Sequence, residues 1–296
     1  MLVCTAILLV SMMFTAATSL RHTEITRPLV ETSPLSREMA LDLAASDAVY
    51  ISEAEEKAGL EHLIKKKLPL YCGGTKNYAA LTFDDGPSET SPRLIKLLSE
   101  EGVSATWFDI GNNANTYTAQ LKEQGEYGPI GNHTWNHANL TTLSPSDIKT
   151  ELTDTQDVVK SGTGQDWPMM RPPYGARDAA TEKTIRKLGY SEILWSADSQ
   201  DGLAKPEATI ATNAVNGLGP GAIILFHDGT NPATITALKK TILPRIRKSG
   251  LTMVTIPELM VLNPPTDAQL EAGPMGCSHA GKVNVSGTFL TNPESR

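Results

Sequence analysis

The stretch YAALTFDDGP, at residues 78–87, decides the fold. Its first half is apolar, and a short apolar run bounded by turn residues predicts a buried strand. Two adjacent carboxylates, Asp84 and Asp85, follow at the end of this strand, directly before a Gly-Pro turn. The strand therefore brings two acidic side chains to one edge of the predicted sheet, where one can bind a cation and the other can act as a base.

Segments with strand and helix patterns alternate repeatedly after this point. The predicted strands lie at 78–83, 104–110, 193–197, 222–226 and 251–255. The predicted helices lie at 92–101, 116–124, from 144 onward, and at 179–188, 206–216 and 233–248. This alternation favours an α/β fold with a parallel sheet, either open or closed into a barrel. Glycine-rich phosphate-binding fingerprints are absent from the sequence, which argues against a nucleotide-binding sheet.

The second informative string is HTWNH, at residues 133–137, which contains two histidines four residues apart. On a helical turn, side chains at this spacing share one face, so we expect both imidazoles to point the same way. Asp85, His133 and His137 then make a three-ligand set for a divalent ion, with a position left open for water. Taken singly, the acidic pair is also compatible with a solvated turn, and the histidines with surface or core positions.

Three further strings carry polar residues that can take part in chemistry. The string RPPYG holds Arg171 and Tyr174 in a turn that its prolines and glycine make rigid, with a purely structural loop as the alternative. Asp198 and Asp201 follow a predicted strand, and His227 ends the most apolar one. A histidine in that position suits acid–base chemistry, because a neighbouring carboxylate can set its pKa.

The composition argues against several classes of function. The 296-residue chain is acidic, with a formal net charge of -7, and it has no basic stripe, so we expect no nucleic-acid partner. Hydrophobic residues make up 40% of the chain, which is enough for a sizeable core. No G-x-S-x-G elbow is present in the sequence, which argues against a serine hydrolase.

Residues 1–19 differ from the rest of the chain, because a nearly continuous apolar run is followed by small residues. This pattern predicts a cleaved secretory signal peptide, with an uncleaved membrane anchor as the alternative. We therefore expect a secreted protein with no membrane span in the mature chain. Cys72 and Cys277 remain after cleavage, and an oxidising compartment favours a disulfide between them over two separate thiols. Three N-x-S/T sequons lie at Asn132, Asn139 and Asn284.

The order of the five strings resembles that of the polysaccharide deacetylase family, also called carbohydrate esterase family 4 or the NodB homology domain. The strings are Asp-Asp-Gly after a strand, His-x3-His, Arg-Pro-Pro-Tyr, Trp followed by Asp, and Leu-x-His, and they span about residues 76–262. The resemblance implies a distorted, often incomplete, (β/α) barrel. We place the matching catalytic domain at 71–277. The composition of the flanking residues predicts a helical segment at 20–70, as a pro-segment, a spacer or a packed appendage, and a polar tail at 278–296.

The resemblance also implies a metal centre. Asp85, His133 and His137 match the family's metal ligands, Asp84 matches the general base, and Arg171 matches the ion-pair partner of that base. Zn2+ is the expected ion, with Co2+, Ni2+ and Mn2+ as alternatives for an Asp-His-His site.

The remaining matches surround this centre. By resemblance, His227 is the general acid and Asp198 is the carboxylate that tunes it. Tyr174 lies where the family uses a backbone N–H to bind an oxyanion. Trp195 and Leu225 match the walls of the pocket that holds the acetyl group.

The implied activity is metal-dependent hydrolysis of N-acetyl groups from a chitin-like polymer of β-1,4-linked N-acetylglucosamine, by a monomeric enzyme. Alternatives are an O-acetylxylan esterase or a peptidoglycan N-acetylglucosamine deacetylase of the same family and, from another class, an inactive carbohydrate-binding surface protein.

One position departs from the family pattern. Many relatives carry an aromatic residue after the second aspartate of the fourth string, whereas Asp201 is followed by Gly202 and Leu203. We therefore expect an acetyl pocket that is wider or differently lined.

Overall fold

The computed structural model describes residues 51–277, and its centre is one parallel sheet. Its strands are β1 Tyr78–Gly86, β2 Ala105–Asp109, β3 Ile130–Asn132, β4 Met169–Met170, β5 Ser191–Glu192, β6 Ala197–Asp198, β7 Ile223–His227 and β8 Thr252–Met253. They lie side by side in the order β5-β4-β3-β2-β1-β7-β6, and β8 pairs with the start of β1. This curled, incomplete ring confirms the predicted distorted (β/α) barrel, with β1 at its middle.

Helices flank this sheet. They are α1 Glu53–Lys66, α2 Ser91–Glu100, α3 Gly111–Thr116, α4 Thr118–Tyr127, α5 Pro145–Thr163, α6 Ala179–Lys187, α7 Glu207–Asn216, α8 Pro232–Ala237, α9 Leu243–Ser249, α10 Ile256–Leu262 and α11 Asp267–Glu271. Within the described range, none of them is long and apolar enough to cross a bilayer.

The two faces of β1 pack into separate apolar clusters, because side chains alternate along a strand. Leu81 and Phe83 face the cluster that the outer helices cover, where Phe83 stacks on Phe226 with ring centroids 5.4 Å apart. Ala80 faces the second cluster, which also contains Leu60 and Phe108. Strand β1 is therefore buried on both sides, as its continuous apolar run predicts.

Helix α1 packs on this domain. Its N-terminus carries a capping box, in which Ser52 and Glu55 each bond to the other's backbone N–H. Leu60 and Leu63 on its inner face are fully buried, and the Ser191 Oγ–H donates to the Leu60 carbonyl at 2.7 Å. The predicted signal peptide, residues 20–50 of the predicted pro-segment and the polar tail lie outside the described residues.

The predicted disulfide between Cys72 and Cys277 is present, and it joins the two ends of the domain.

Asn132 is 1% exposed and its side chain donates to the Leu152 carbonyl, so this sequon offers no glycan acceptor in the folded chain. The Asn139 side chain accepts from the Thr141 N–H at 3.1 Å. The third sequon, Asn284, lies outside the described residues.

The structure differs from the prediction where strands are shortest. The strand predicted at 193–197 falls mostly between two short strands, β5 and β6, and only Ala197 of that range lies in one of them. Helix α10 was not predicted, although its start carries a readable signal, a capping box between Thr255 and Glu258.

Candidate active site and metal centre

The carboxyl ends of β1 and β7 place the central groups side by side. In the pairing register, Asp84 lies opposite His227. The register of β1 against β2 shifts between Asp84 and Gly86, and Asp85 at this bulge has φ 70°. Neighbouring side chains in a regular strand point to opposite faces, so the bulge re-aims Asp85. Both carboxylates can then serve one site.

The histidine string is a loop and not the helical turn that we predicted from its spacing. Residues 133–139 have no helical assignment, and Thr134 and His137 adopt left-handed φ values of 67° and 55°. The two imidazoles nevertheless converge. The Nε2 atom of His133 lies 3.5 Å from Asp85 Oδ1, and the Nε2 atom of His137 lies 3.3 Å from the same oxygen.

These three residues fit a divalent cation. The Asp85 Oδ1 atom is buried and has no hydrogen-bond partner, although two ring nitrogens face it. Candidate ligand atoms of Asp85, His133 and His137 all lie within 4.8 Å of one another. An orphaned buried carboxylate oxygen is costly without a compensating group, and a cation between the three side chains would satisfy it.

The tautomer of His133 suits metal binding, and a hydroxyl holds the ring of His137. The Nδ1 atom of His133 lies 2.7 Å from the carbonyl oxygen of Arg171, which can only accept, so we place the ring proton on Nδ1. Nε2 then presents a lone pair. Burial lowers the pKa of His133 to about 3, which keeps the ring neutral. The Nδ1 atom of His137 pairs with the Tyr174 hydroxyl at 3.1 Å, so Tyr174 orients the second ligand.

Asp84 is held by a buried guanidinium. Arg171 Nη1 donates to Asp84 Oδ1 at 2.6 Å and to Thr82 Oγ1 at 2.9 Å, and the rest of its fork bonds to the carbonyls of residues 193–194. Burial raises the pKa of Asp84, while the charge of Arg171 opposes that shift. The second oxygen, Oδ2, lies 3.7 Å from His133 Nε2, so it faces the candidate metal centre.

The carboxylate partner of His227 is Asp201, and this corrects the assignment to Asp198. Asp201 Oδ1 lies 2.8 Å from His227 Nδ1, and Asp201 Oδ2 accepts the His227 backbone N–H and the Thr234 hydroxyl. Asp198 Oδ1 instead accepts the Gln200 N–H at 2.7 Å. The cause is a 3-10 turn at Asp201–Leu203, which carries the second aspartate back toward β7.

The position of Asp201 sets the protonation of His227. Burial lowers the pKa of His227, but the hydrogen bond and the charge of Asp201 outweigh that effect and raise the pKa to about 9. Asp85 and Asp84 add smaller contributions in the same direction. His227 therefore carries a proton at neutral pH, as a general acid requires.

The predicted pocket residues lie around these groups. Tyr174 sits in a 3-10 turn, Pro173–Gly175, with φ 61°. The Trp195 ring centroid lies 5.6 Å from the Arg171 guanidinium carbon, and Leu225 is 3% exposed on β7. That Trp195 and Leu225 line an acetyl pocket, and that the Tyr174 N–H binds an oxyanion, remain predictions.

Gly202, the position at which the sequence departs from the expected pattern, packs against the ring of His227. A Cβ atom at this position would lie 2.7 to 3.0 Å from three of the ring atoms, closer than such contacts allow. Leu203 beside it is 42% exposed, which is unusual for a large apolar side chain in this domain. The backbone of residue 202 thus lies directly against the ring of His227.

A buried acid that the sequence motifs do not include, Asp109, lies next to the site. Asp109 ends β2 opposite Gly86 and is fully buried, yet neither of its carboxylate oxygens has a hydrogen-bond partner. Burial, and then the charges of Asp228 and Asp84, raise its pKa well above the ordinary value. Its place at the end of a predicted strand was the available signal.

Comparisons with known proteins agree with this geometry. The family model described as polysaccharide deacetylase matches residues 73–193. The chain is 36% identical over 191 residues to a peptidoglycan-N-acetylglucosamine deacetylase of Bacillus cereus, covering 61% of this chain and 87% of that protein. It is 37% identical over 188 residues to a chitin deacetylase of Pestalotiopsis sp, covering 61% of this chain and 62% of that protein.

Solved structures share the fold. The Bc1960 peptidoglycan N-acetylglucosamine deacetylase superposes with a TM-score of 0.62 at 29% identity, covering 67% of this chain and 95% of that one. The chain spans only 27% and 39% of the length of two other curated relatives that it matches. The sequence match, the shared barrel and the clustered Asp-His-His set lead to one conclusion: this chain belongs to the polysaccharide deacetylase family.

Proposed function

We propose that this protein is a metal-dependent deacetylase that hydrolyses N-acetyl groups of a polymer of β-1,4-linked N-acetylglucosamine and releases acetate. One observation carries the proposal. The buried, partnerless Oδ1 of Asp85 faces the Nε2 atoms of His133 and His137, while Asp84 and His227 lie opposite each other on the adjoining strands. A three-ligand metal site beside a carboxylate and a protonated imidazole provides the groups that metal-assisted hydrolysis needs.

The residues divide the chemistry between them. Asp85, His133 and His137 would hold the cation, which would supply Lewis-acid polarisation of the acetyl carbonyl and a more acidic water. Asp84, fixed by Arg171, accepts the proton of the attacking water through the oxygen that faces the site.

The opposite side of the site handles the departing groups. The backbone N–H of Tyr174 donates to the oxyanion that forms at the former carbonyl oxygen. His227 donates its proton to the leaving nitrogen, which is a poor leaving group until it is protonated. Asp201 keeps His227 charged for this step, and Trp195 and Leu225 enclose the acetyl methyl group.

Three substrates are compatible with the family. We favour a chitin-like polymer, in keeping with the 37% identity to a chitin deacetylase. The second candidate is peptidoglycan, in keeping with the 36% identity to a Bacillus cereus enzyme that acts on its N-acetylglucosamine. Acetylxylan is the third candidate. The complete set of two aspartates and three histidines argues against an inactive carbohydrate-binding protein.

We also propose that the enzyme is secreted and monomeric and that Zn2+ is its ion. The Cys72–Cys277 disulfide supports an oxidising compartment, where such bonds persist. The two imidazoles and one carboxylate support Zn2+, which prefers nitrogen and oxygen ligands in four-coordinate sites.

Acetate release tests this function. The purified protein is stripped with a chelator, resupplied with Zn2+, and incubated with chitin oligomers, peptidoglycan fragments or acetylxylan. We expect Zn2+-dependent acetate release, highest with chitin oligomers. Asp84→Asn provides the catalytic control, because it keeps the three ligands and removes the base. Release from acetylxylan alone would replace the proposed substrate, and sugar binding without acetate release in the Zn2+-loaded protein would favour the inactive alternative.

A further inference from the structure

The loop that carries the two histidine ligands has an unfavourable backbone. Thr134 and His137, neither of them glycine, have φ values of 67° and 55°. L-residues adopt this left-handed region at a cost that is large for a β-branched residue such as Thr134. Contacts from outside the loop must therefore select this conformation, in which both imidazoles converge.

A single carboxylate makes the main contacts with the middle of this loop. Glu151, on helix α5, accepts the backbone N–H of Trp135 at 2.8 Å and that of Asn136 at 2.9 Å, both on Oε2. Its other oxygen, Oε1, accepts the Asn136 side-chain amide at 3.0 Å. Trp135 and Asn136 lie between the two ligands, so Glu151 grips the segment that separates His133 from His137.

The start of helix α3 holds the same segment from its carbonyl side. The Gly111 N–H donates to the Thr134 carbonyl at 2.9 Å, and the Asn112 N–H donates to the Trp135 carbonyl at 3.0 Å. Gly111 allows this approach, because a Cβ atom there would lie 2.5 Å from the Trp135 ring. These contacts are made by backbone atoms and do not depend on the side chain at position 151. A substitution of Glu151 therefore removes only the hydrogen bonds that its carboxylate makes to the loop.

We propose that Glu151 is a positioning residue of the metal centre, which holds the 133–137 loop in its ligand-ready shape before the cation arrives. The proposal rests on the proposed function, because it assumes that His133 and His137 bind the cation. Hydrogen bonds to a carboxylate are stronger than those between neutral groups, and three of them converge on this one side chain. A preformed loop lowers the entropic cost of binding, since the ligands need no ordering when the ion binds.

The side chain of Glu151 does not touch the candidate ligands in any contact described above, so its loss should act through the loop alone. Removing partners that orient metal ligands typically weakens metal affinity about 10- to 100-fold. Glu151→Ala removes all three hydrogen bonds. Glu151→Gln keeps one acceptor oxygen, which can still receive the two backbone N–H groups, so it should restore most of the affinity.

Zn2+ affinity and amide exchange together test this role. Affinity is measured by competition with a chelator of known affinity on the full chain, and hydrogen exchange at residues 133–137 is followed in the metal-free protein. Asp154→Ala is the matched control, because Asp154 is an exposed acid on the same helix. We expect Glu151→Ala to lose about 10- to 100-fold in affinity and to exchange faster at Trp135 and Asn136.

The two readouts separate the possible failures. Asp154→Ala should match the unaltered protein in both measurements, and Glu151→Gln should lie much closer to the unaltered protein than Glu151→Ala does. Unaltered affinity and unaltered exchange in a folded Glu151→Ala protein would overturn the proposal. If the unaltered chain binds no Zn2+, the proposed function fails instead, and exchange in the metal-free protein still decides whether Glu151 orders the loop.

Discussion

Asp201, and not Asp198, should control the protonation of the general acid, and Asp201→Asn tests this directly. The substitution keeps the size of the side chain and one oxygen that can accept a hydrogen bond, but it removes the negative charge 2.8 Å from His227 Nδ1. Burial is then the largest remaining influence on the pKa of His227, and it disfavours the charged form of the ring.

The size of the effect follows from the pKa of His227. With Asp201 in place, the pKa of His227 is about 9, against an ordinary value of 6.5. In Asp201→Asn, burial still lowers the pKa of His227, and the negative charge that raised it most is gone. We therefore expect the pKa of His227 to lie at or below the ordinary value. A pKa that falls by about 2.5 units cuts the protonated fraction at pH 8 roughly 30-fold, because each unit changes the ratio of the two forms tenfold.

The assay is the pH dependence of kcat/KM for acetate release from an N-acetylglucosamine oligomer, with Zn2+ supplied. The alkaline limb should move down by about two units or more in Asp201→Asn, and the loss of activity should shrink as the pH falls. Asp198→Asn, measured in parallel, separates the two assignments. An alkaline limb that stays in place in Asp201→Asn and moves in Asp198→Asn would refute our reasoning and restore the assignment made from sequence.

Three further substitutions test other parts of the site. Asp85→Ala should abolish stoichiometric Zn2+ binding and nearly all acetate release, as measured by metal analysis and by activity; full activity without bound metal would contradict the metal centre. Gly202→Ala places a Cβ atom 2.7 to 3.0 Å from the ring atoms of His227, so activity should fall about tenfold or more while Zn2+ binding is kept. Asp109→Asn should gain stability relative to the unaltered protein as the pH rises from 4 to 7, because an amide cannot take up the negative charge that burial makes costly for Asp109. Because the pKa of Asp109 is raised in the folded state, Asp109 destabilises the protein increasingly as the pH rises above the unfolded pKa of 3.8. Urea unfolding should therefore show a larger free energy of unfolding for the variant at pH 7, and this gain should disappear near pH 4. The same difference between variant and unaltered protein at both pH values would contradict this.

The sequence predicted the barrel because its central strand is unusually explicit. The run at 78–83 is short, mostly apolar and bounded by turn residues, and the strands predicted after it alternate with helices. Strands such as β4 and β5, with two residues each, carry no alternation that a sequence pattern can reveal. Their existence depends on pairing with longer neighbours, which is a property of the fold and not of the local residues.

The site was predictable as a set of residues and much less as a geometry. Carboxyl ends of parallel strands meet at one edge of a sheet, so Asp84 and His227 could be expected to lie together. The bulge at Asp85 and the left-handed conformation of His137 are backbone features. An aspartate or a histidine at these positions does not predict them. This is why the helical-turn interpretation of the histidine string was wrong although the rings do converge.

Partner assignments were the least accessible part. Asp198 ends β6 and Asp201 follows three residues later, and only the 3-10 turn after Gln200 decides that Asp201 reaches β7. Glu151 lies 14 positions beyond His137 on a helix whose pattern predicts only packing, and the hydrogen bonds that it makes carry no sequence signature.

The most direct test of the metal centre is anomalous diffraction from crystals of the Zn2+-loaded protein, recorded on both sides of the zinc absorption edge. We predict one strong anomalous peak about 2.0 to 2.2 Å from Asp85 Oδ1 and from the Nε2 atoms of His133 and His137. A peak at any other set of side chains, with these three atoms left uncoordinated, would contradict the assignment of the metal centre and, with it, the proposed hydrolysis.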